Sequence, residues 1–205
     1  AGLKSVSESV KNPRLYLREN FLSAENIILA MQKFNVKKLI FSSSATVYGK
    51  PKYLPIDEKH PTKPQHAYGE SKLAIEYLLK NVCSSRKDWS IVSLRYFNPV
   101  GSDLSGLLKD NPIKPTNLFP VITKVCEGKL NHFPIWGKNY NTKDGTAIRD
   151  YVHILDLVES HILCLPFLKK KKGFSIFNIG TGKGHTVMDV VKKFEKVNQI
   201  KIKKK

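Results

Sequence analysis

The sequence lacks any run of residues that would cross a membrane or direct the chain to export. No apolar run approaches the roughly 18 residues that a membrane-spanning helix needs, and residues 1–4 form neither the charged nor the apolar region of a signal peptide. The chain has 205 residues, of which 41% are hydrophobic and 25% are charged. This length and composition are typical of a globular protein with a buried core. We therefore expect no export and no membrane partner.

Cysteine is scarce. Cys83, Cys126 and Cys164 are odd in number and widely spaced, which argues against a disulfide framework and against a Cys-x-x-Cys metal site. His153 and His161 are also too far apart for a His-Glu-x-x-His motif, and we interpret them as packing or surface residues. We expect no metal ion and a reducing, cytoplasmic location.

Arginine is rare beside lysine, although the net charge is +18. Only 5 of the 35 basic residues are arginine, whereas proteins that read base edges favour the planar guanidinium. Many of the lysines lie in two runs, 169–172 and 201–205, which are explained more simply as solvated faces and tails. We expect no nucleic-acid partner, and a basic nucleic-acid-binding module stays open as an alternative.

Apolar runs alternate with amphipathic stretches, which predicts an α/β fold. Helical periodicity covers residues 21–34 and 67–82, and buried-strand patterns cover 39–41 and 89–94. A strand, a helix and a second strand in this order form a right-handed parallel crossover. The later sequence predicts helices at 118–125 and 156–165, a strand at 174–179 and a final helix capped by Thr186.

Tyr68 and Lys72 open the second of these helices, just after a proline-rich loop at the carboxyl end of a serine-tipped strand. Ligands of open α/β sheets bind at that end, and residues four apart on a helix share a face. The spacing alone is weak evidence, because about one chance match is expected among so many lysines; Tyr48 with Lys52 is a second match, which Pro51 keeps from being helical. A half-buried tyrosine beside a solvated lysine is the alternative interpretation.

A phenol paired with an ammonium can act as a base on a sugar or alcohol hydroxyl. The pKa of a free phenol, near 10, is too high for this task at neutral pH. One cation at about 5 Å, with an effective dielectric of about 20, stabilises a phenolate by about 3 kcal/mol. Lys72 and an oxidised nicotinamide would supply two such cations, and Ser44 at the strand end could hold the same hydroxyl.

Four motifs carry a resemblance to a known family. They are Phe41-Ser-Ser-Ser-Ala-Thr-Val-Tyr-Gly49, Tyr68-Gly-Glu-Ser-Lys72, Leu94-Arg-Tyr-Phe-Asn-Pro-Val-Gly101 and Asp144-Gly-Thr-Ala-Ile-Arg-Asp-Tyr-Val-His153. In this order the motifs resemble those of UDP-glucose 4-epimerases, within the extended short-chain dehydrogenase/reductase family. The resemblance implies a partial Rossmann-type parallel sheet in residues 1–98 that binds NAD. It also implies part of a smaller, mixed substrate-binding region in residues 99–205, with a returning strand and helix.

The resemblance also implies roles for individual residues. The implied catalytic residues are Ser44, Tyr68 and Lys72. The residues implied near the dinucleotide are Lys4, Asn20, Ser42, Ser44, Tyr68, Lys72 and Phe97. Those implied around the UDP-sugar are Ser44, Tyr68, Asn98, Asn117, Leu118 and Arg149. Arg149 suits a diphosphate because a guanidinium pairs with two phosphate oxygens; the alternatives are an ion pair with Asp150 and, for Asn98, a turn before Pro99.

The implied activity is the interconversion of UDP-glucose and UDP-galactose, in galactose metabolism. Tyr68 would remove the 4-hydroxyl proton as C4 loses a hydride to NAD+, and the 4-keto sugar would turn before the hydride returns. Related 4,6-dehydratases carry an Asp-Glu pair where this chain has Ala45 and Thr46, which favours epimerisation. Another sugar-nucleotide epimerase or reductase, N-acetylated substrates and a non-catalytic binding module stay open.

The glycine-rich signature of dinucleotide binding is absent from the sequence. Gly-x-x-Gly-x-x-Gly occurs nowhere, and Gly180-Thr-Gly-Lys-Gly184 has His185 where a third glycine is needed. We interpret this segment as a glycine turn before a helix. By resemblance we expect an internal part of an epimerase, incomplete for activity by itself and homodimeric when complete, through the helices that bear Leu22 and Leu78.

Overall fold

The computed structural model describes residues 2–108 and 117–205, which form two compact units. The first unit consists of the chain up to Phe97 together with Leu157–Ile179, and the second of Asn98–Asp156 together with Gly180–Lys205. No helix among the described residues is long and apolar enough to span a bilayer. The assignment of NAD to residues 1–98 and of the substrate to residues 99–205 stays a prediction.

Helices and strands are interspersed along the described residues. The helices are α1 (Val6–Lys11), α2 (Pro13–Lys33), α3 (Ala67–Ser85), α4 (Leu118–Cys126), α5 (Ile154–Lys170) and α6 (Val187–Asn198). The strands are β1 (Lys38–Ser44), β2 (Ser90–Tyr96), β3 (Asn98–Val100), β4 (Ile148–His153), β5 (Gly173–Ile179) and β6 (Gly184–Thr186). The predicted α/β class is confirmed, as is the parallel pairing of two strands joined by α3.

The first unit has helices on both faces of a parallel sheet with strand order β1-β2-β5. Successive residues of a strand point to opposite faces. Ile91 packs in a cluster with Ile28 of α2 and Leu79 of α3, whereas Val92 packs on the other face beside Cys164 of α5. Burial of both faces explains why β2 is an apolar run rather than an alternating one. The carboxyl ends of the three strands lie at one edge.

Helix α2 begins at Pro13 and not near residue 21, as the periodicity predicted. Proline is favoured at the start of a helix, because its fixed φ suits the helix and its missing N–H would have no helical partner there. The early turns bury Tyr16 and Asn20, polar residues that an apolar pattern does not register. The Tyr16 hydroxyl donates a hydrogen bond to Glu8 at 2.8 Å, which ties α1 to α2.

The described part of the second unit combines short strands with the helices α4 and α6. β3 pairs in parallel with β4, and β4 pairs antiparallel with β6. Its core consists of Val121, Ile122, Phe133, Val191 and Ile202. The sequence predicted α4, and it predicted α6 with its threonine cap. It did not predict β3, β4 or β6, because Arg149 and Asp150 interrupt the apolar pattern of β4 and the other two strands are three residues long.

One carboxylate links a turn of the second unit to the start of α6. Asp144 accepts hydrogen bonds from the N–H and the hydroxyl of Thr146 at 2.9 and 2.6 Å, and from the hydroxyl of Thr186 at 2.6 Å. Thr186 in turn caps α6 by accepting the N–H of Asp189. The hydroxyls of Thr146 and Thr186 lower the pKa of Asp144 to about 2.

We expect the substitution Asp144→Asn to destabilise the protein in a pH-dependent way. Because the folded pKa lies below the unfolded one, the carboxylate stabilises the fold above the unfolded pKa, and this contribution is lost as the pH falls toward about 2. Chemical denaturation should show a lower midpoint for the variant at neutral pH and a smaller difference in acid. The control is Asp88→Asn, which removes an exposed partner of Lys37. An equal loss for Asp144→Asn at both pH values would contradict this expectation.

Candidate active site

Three polar side chains converge where β1 ends and α3 begins, all within the first unit. Ser44 is the last residue of β1, and Tyr68 and Lys72 lie in the first turns of α3. The Lys72 ammonium donates a hydrogen bond to the Ser42 carbonyl oxygen at 2.8 Å and lies 5.8 Å from the centre of the Tyr68 ring. The structure therefore brings together the three residues that the resemblance implied as catalytic.

The local sequence brings α3 close to the end of β1. His66 caps the helix, because its Nδ1 accepts the N–H of Gly69. A Cβ at Gly69 would lie 2.9 Å from the Thr46 carbonyl oxygen, so a residue without a side chain is needed at this contact. One turn later the long Lys72 side chain reaches the strand.

Ser44 offers a hydroxyl proton to the site. Its oxygen accepts hydrogen bonds from the N–H and the hydroxyl of Thr46, at 3.2 and 2.9 Å. Since these contacts occupy the oxygen as an acceptor, the Ser44 proton is left for a further partner. A hydrogen bond with Ser44 lowers the pKa of Tyr68, but by less than burial raises it.

Burial opposes charge on both ionisable groups of the site. It raises the pKa of Tyr68 and lowers that of Lys72, because each loses hydration in its charged form. In the protein without cofactor the pKa of Tyr68 is thus dominated by burial, and the expectation that Lys72 and a nicotinamide together lower it stays a prediction. The ammonium binds a backbone carbonyl, and the desolvation of the phenolate dominates. A further cation is needed for Tyr68 to act as a base near neutral pH.

The other residues predicted near a dinucleotide differ in their surroundings. Asn20 is buried, and both the oxygen and the nitrogen of its side-chain amide form hydrogen bonds. It accepts the N–H of Leu3 at 2.7 Å and donates to the Leu3 carbonyl at 3.1 Å and to the Ser71 hydroxyl at 2.9 Å. Asn20 thus fastens the segment before α1 to α3. The remaining three are exposed or half-buried: Lys4, Ser42 and Phe97.

Four of the residues predicted to bind the UDP-sugar lie in the second unit. Asn98 opens β3, and Asn117 precedes α4 without a side-chain cap bond. Leu118 packs against the core of this unit. Arg149 is exposed, and its Nη1 donates to the Ile148 carbonyl at 2.7 Å. The ion pairs among the described residues do not include one between Arg149 and its neighbour Asp150.

Asp150 instead fills the turn of the glycine segment 180–184. Its carboxylate accepts the N–H of Thr181 at 2.9 Å, the N–H of Gly182 at 2.8 Å and the Thr181 hydroxyl at 2.7 Å. A carboxylate in this position occupies the amides that a pyrophosphate would need. The segment does bend before α6, but its last residue, Gly184, opens β6, so that a short strand lies between the bend and the helix.

The sequence did not reveal a hydrogen-bonded pair beside the site, Tyr96 and His161. The Tyr96 hydroxyl lies 2.8 Å from Ser42 Oγ and 2.7 Å from His161 Nε2. His161 Nδ1 lies 2.8 Å from the Leu157 carbonyl oxygen, and because a carbonyl only accepts, this nitrogen carries a proton. Sequence spacing does not signal the pair, since it depends on how α5 crosses the sheet. Among the described residues no cluster of three or more His, Cys, Asp or Glu side chains could hold a metal ion.

Comparisons with known proteins agree with this geometry. A model of the NAD dependent epimerase/dehydratase family matches residues 1–180. The UDP-glucose 4-epimerases of Homo sapiens and Yersinia enterocolitica are 44% and 46% identical to the chain, over 98% and 96% of its length. The UDP-glucose 4-epimerase of Bifidobacterium longum, crystallised in complex with NAD+ and UDP, matches 100% of the chain with a TM-score of 0.95 and 45% identity.

The match covers only part of each relative. The chain spans 59% of the two curated relatives and 62% of the crystallised protein. Within this span, the resemblance inferred from the four motifs is confirmed.

We expect Tyr68 to ionise above the ordinary pKa of tyrosine in the protein without cofactor, because burial disfavours the phenolate. An alkaline absorbance titration of the parent protein minus that of Tyr68→Phe isolates this group. Tyr77→Phe, which removes an exposed tyrosine from the same helix, gives a matched difference curve. A Tyr68 transition below about pH 10, the ordinary value, would show that burial does not control this phenol.

Proposed function

Because the chain belongs to the NAD dependent epimerase/dehydratase family, we propose that it supplies the catalytic residues of a UDP-glucose 4-epimerase. Such an enzyme interconverts UDP-glucose and UDP-galactose by inverting the configuration at C4 of the hexose. One observation carries the proposal: Lys72 binds the Ser42 carbonyl beside Tyr68, at the end of the strand that presents Ser44. The identity to UDP-glucose 4-epimerases supports it.

We assign NAD as the cofactor, and the residues of the site fit its nicotinamide-ribose end. Lys72 has ammonium protons for ribose hydroxyls, since only one of them is used by the Ser42 carbonyl. The glycine turn at 180–184 does not fit the pyrophosphate, because Asp150 occupies its amides. When bound, NAD+ supplies the hydride acceptor for C4 of the sugar.

In this proposal Tyr68 takes the proton from the 4-hydroxyl group as C4 loses its hydride. Ser44 holds the same hydroxyl, because the Ser44 oxygen already accepts from Thr46 and its proton is available. Lys72 stabilises the phenolate together with the positive charge of the nicotinamide. When the hydride returns to the other face of C4, Tyr68 gives the proton back to the oxygen, so that the site is regenerated in each cycle.

The substrate must be held by its nucleotide while its hexose turns. We assign the UDP end to residues of the second unit, namely Asn98, Asn117, Leu118 and Arg149. Arg149 suits a diphosphate because its exposed guanidinium keeps donors beyond the one that binds the Ile148 carbonyl. Anchoring at the nucleotide leaves the hexose free to present either face of C4 to the hydride donor.

We further propose a homodimer formed through α2 and α3 and a cytoplasmic location. Leu22 of α2 is 43% exposed, which supports an apolar contact with a second copy, whereas Leu78 of α3 is half-buried against the core of the first unit. The three free cysteines are in keeping with a reducing compartment.

Tyr68→Phe is the direct test of the proposed activity. In the protein expressed from the complete reading frame that contains this chain, we expect the variant to interconvert UDP-glucose and UDP-galactose at least about 10²-fold more slowly, because the base is lost. The control Tyr77→Phe removes a hydroxyl from an exposed position of the same helix and should retain activity. Activity of Tyr68→Phe close to that of the parent would refute the assignment of the base.

A further inference from the structure

A buried ion pair lies one helical turn beyond Lys72. Glu76 of α3 and Arg95 of β2 are at most 4% exposed, and the Arg95 Nη2 lies 2.6 Å from Glu76 Oε2. Arg95 Nε also donates to Glu76 Oε1 at 3.0 Å, so the guanidinium and the carboxylate form a bidentate pair. The hydroxyls of Ser43 and Ser93 donate to the same Oε1 at 2.6 and 3.0 Å. Among the described residues, the hydrogen-bond partners of this carboxylate therefore come from β1 and β2.

Stability alone does not explain such a pair. Removing two charges from water costs free energy that their attraction often fails to recover, and apolar residues of similar volume frequently stabilise a core as well or better. A fully satisfied buried network does, however, make its surroundings rigid, and in some proteins it specifies one arrangement of the elements that carry it. Glu76 is thus suited to setting the position of α3 on the sheet.

The position of α3 matters because Tyr68, Lys72 and Glu76 follow one another at four-residue steps on one side of the helix. Consecutive residues of β1 hold consecutive turns of α3: the Ser42 carbonyl binds Lys72, and the Ser43 hydroxyl binds Glu76. A rotation or slide of the helix that broke the Glu76 contacts would also draw Lys72 away from its carbonyl. The two contacts are therefore mechanically coupled.

Arg95 also makes contacts outside its ion pair with Glu76. Arg95 Nη1 donates to the Tyr48 hydroxyl at 2.9 Å, and the guanidinium carbon lies 4.8 Å from the centre of the Tyr48 ring. The Tyr48 hydroxyl donates to Asn178 of β5 at 2.6 Å, and Asn178 donates to the Ile56 carbonyl of the proline-rich loop at 3.1 Å. The network therefore joins α3 to all three strands of the sheet and to this loop.

We propose that Glu76 is a positioning residue, which fixes the rotation and the axial position of α3 and thereby holds Lys72 at the Ser42 carbonyl beside Tyr68. This inference rests on the proposed function for its effect on catalysis, but not for its effect on the placement of Lys72. Glu76 touches neither substrate nor cofactor in this proposal. It acts through the helix.

The test compares Glu76→Asp with the parent protein, because aspartate keeps the charge and draws the carboxylate back by one methylene. We expect a folded variant in which kcat falls by about tenfold or more while KM for UDP-glucose stays within about twofold. NMR titration of Lys72 without cofactor, assigned with Lys72→Arg, should show a midpoint moved upward as the ammonium regains water. Glu70→Asp, at an exposed glutamate in the first turn of α3, is the matched control. It should change neither kcat nor the midpoint of the Lys72 titration.

A second variant, Glu76→Leu with Arg95→Leu, separates positioning from stability, because it removes both buried charges together. We expect this double variant to have a lowered kcat and a raised midpoint of the Lys72 titration, as in Glu76→Asp, even where its thermal stability equals that of the parent. A parental Lys72 titration in a folded variant, or failure of both variants to fold, would overturn the proposal and assign the pair to stability alone. If the parent protein does not interconvert UDP-sugars, the proposed function fails, and the Lys72 titration still decides the placement.

Discussion

The site depends on one interaction, an ammonium held partly out of water against a backbone carbonyl. Lys72 binds Ser42 at the carboxyl end of β1, where the surrounding protein screens charge less than water does. One turn of helix places the Tyr68 phenol beside this charge, and the strand end supplies the Ser44 hydroxyl. A base, a cation and a hydroxyl donor are thereby assembled from two secondary-structure elements, and the rest of the first unit keeps these elements in register.

The same burial that strengthens the electrostatic interactions of the Lys72 ammonium also keeps the Tyr68 phenol protonated in the protein without cofactor. Desolvation raises the pKa of Tyr68, so Lys72 alone does not make it a base near neutral pH. In the proposed reaction, the missing positive charge belongs to the oxidised nicotinamide. The base is then competent only when a hydride acceptor is present, which couples removal of the proton to removal of the hydride.

The sequence predicted the first unit well because its signals are local. The serine-tipped β1, the loop prolines and the start of α3 at Ala67 follow from residues close together in the chain, and the approach of Tyr68 to Lys72 needs only one helical turn. The predicted start of α2 was wrong because the early turns of this helix bury polar groups, which an apolar pattern does not reveal. Strand β4 was missed because its pairing with β3 and β6, and not its composition, makes it a strand.

The contacts that the sequence did not reveal are those made across the sheet. His161 reaches Tyr96 from α5, and Glu76 meets Arg95 only because α3 lies over β2. The pKa of Tyr68 could not be predicted from the sequence either, since the direction in which it shifts depends on how deeply the phenol is buried. Spacing identifies which groups can meet, whereas burial decides which of them carry charge.

The most direct test is a crystal structure of the protein from the complete reading frame with NAD and UDP-glucose bound. We predict that Tyr68 Oη and Ser44 Oγ both lie within about 3.2 Å of the 4-hydroxyl oxygen of the hexose, with Lys72 still beside the phenol. A hexose whose 4-hydroxyl contacts neither oxygen, or a Lys72 side chain turned away from Tyr68, would contradict the assignment of this site.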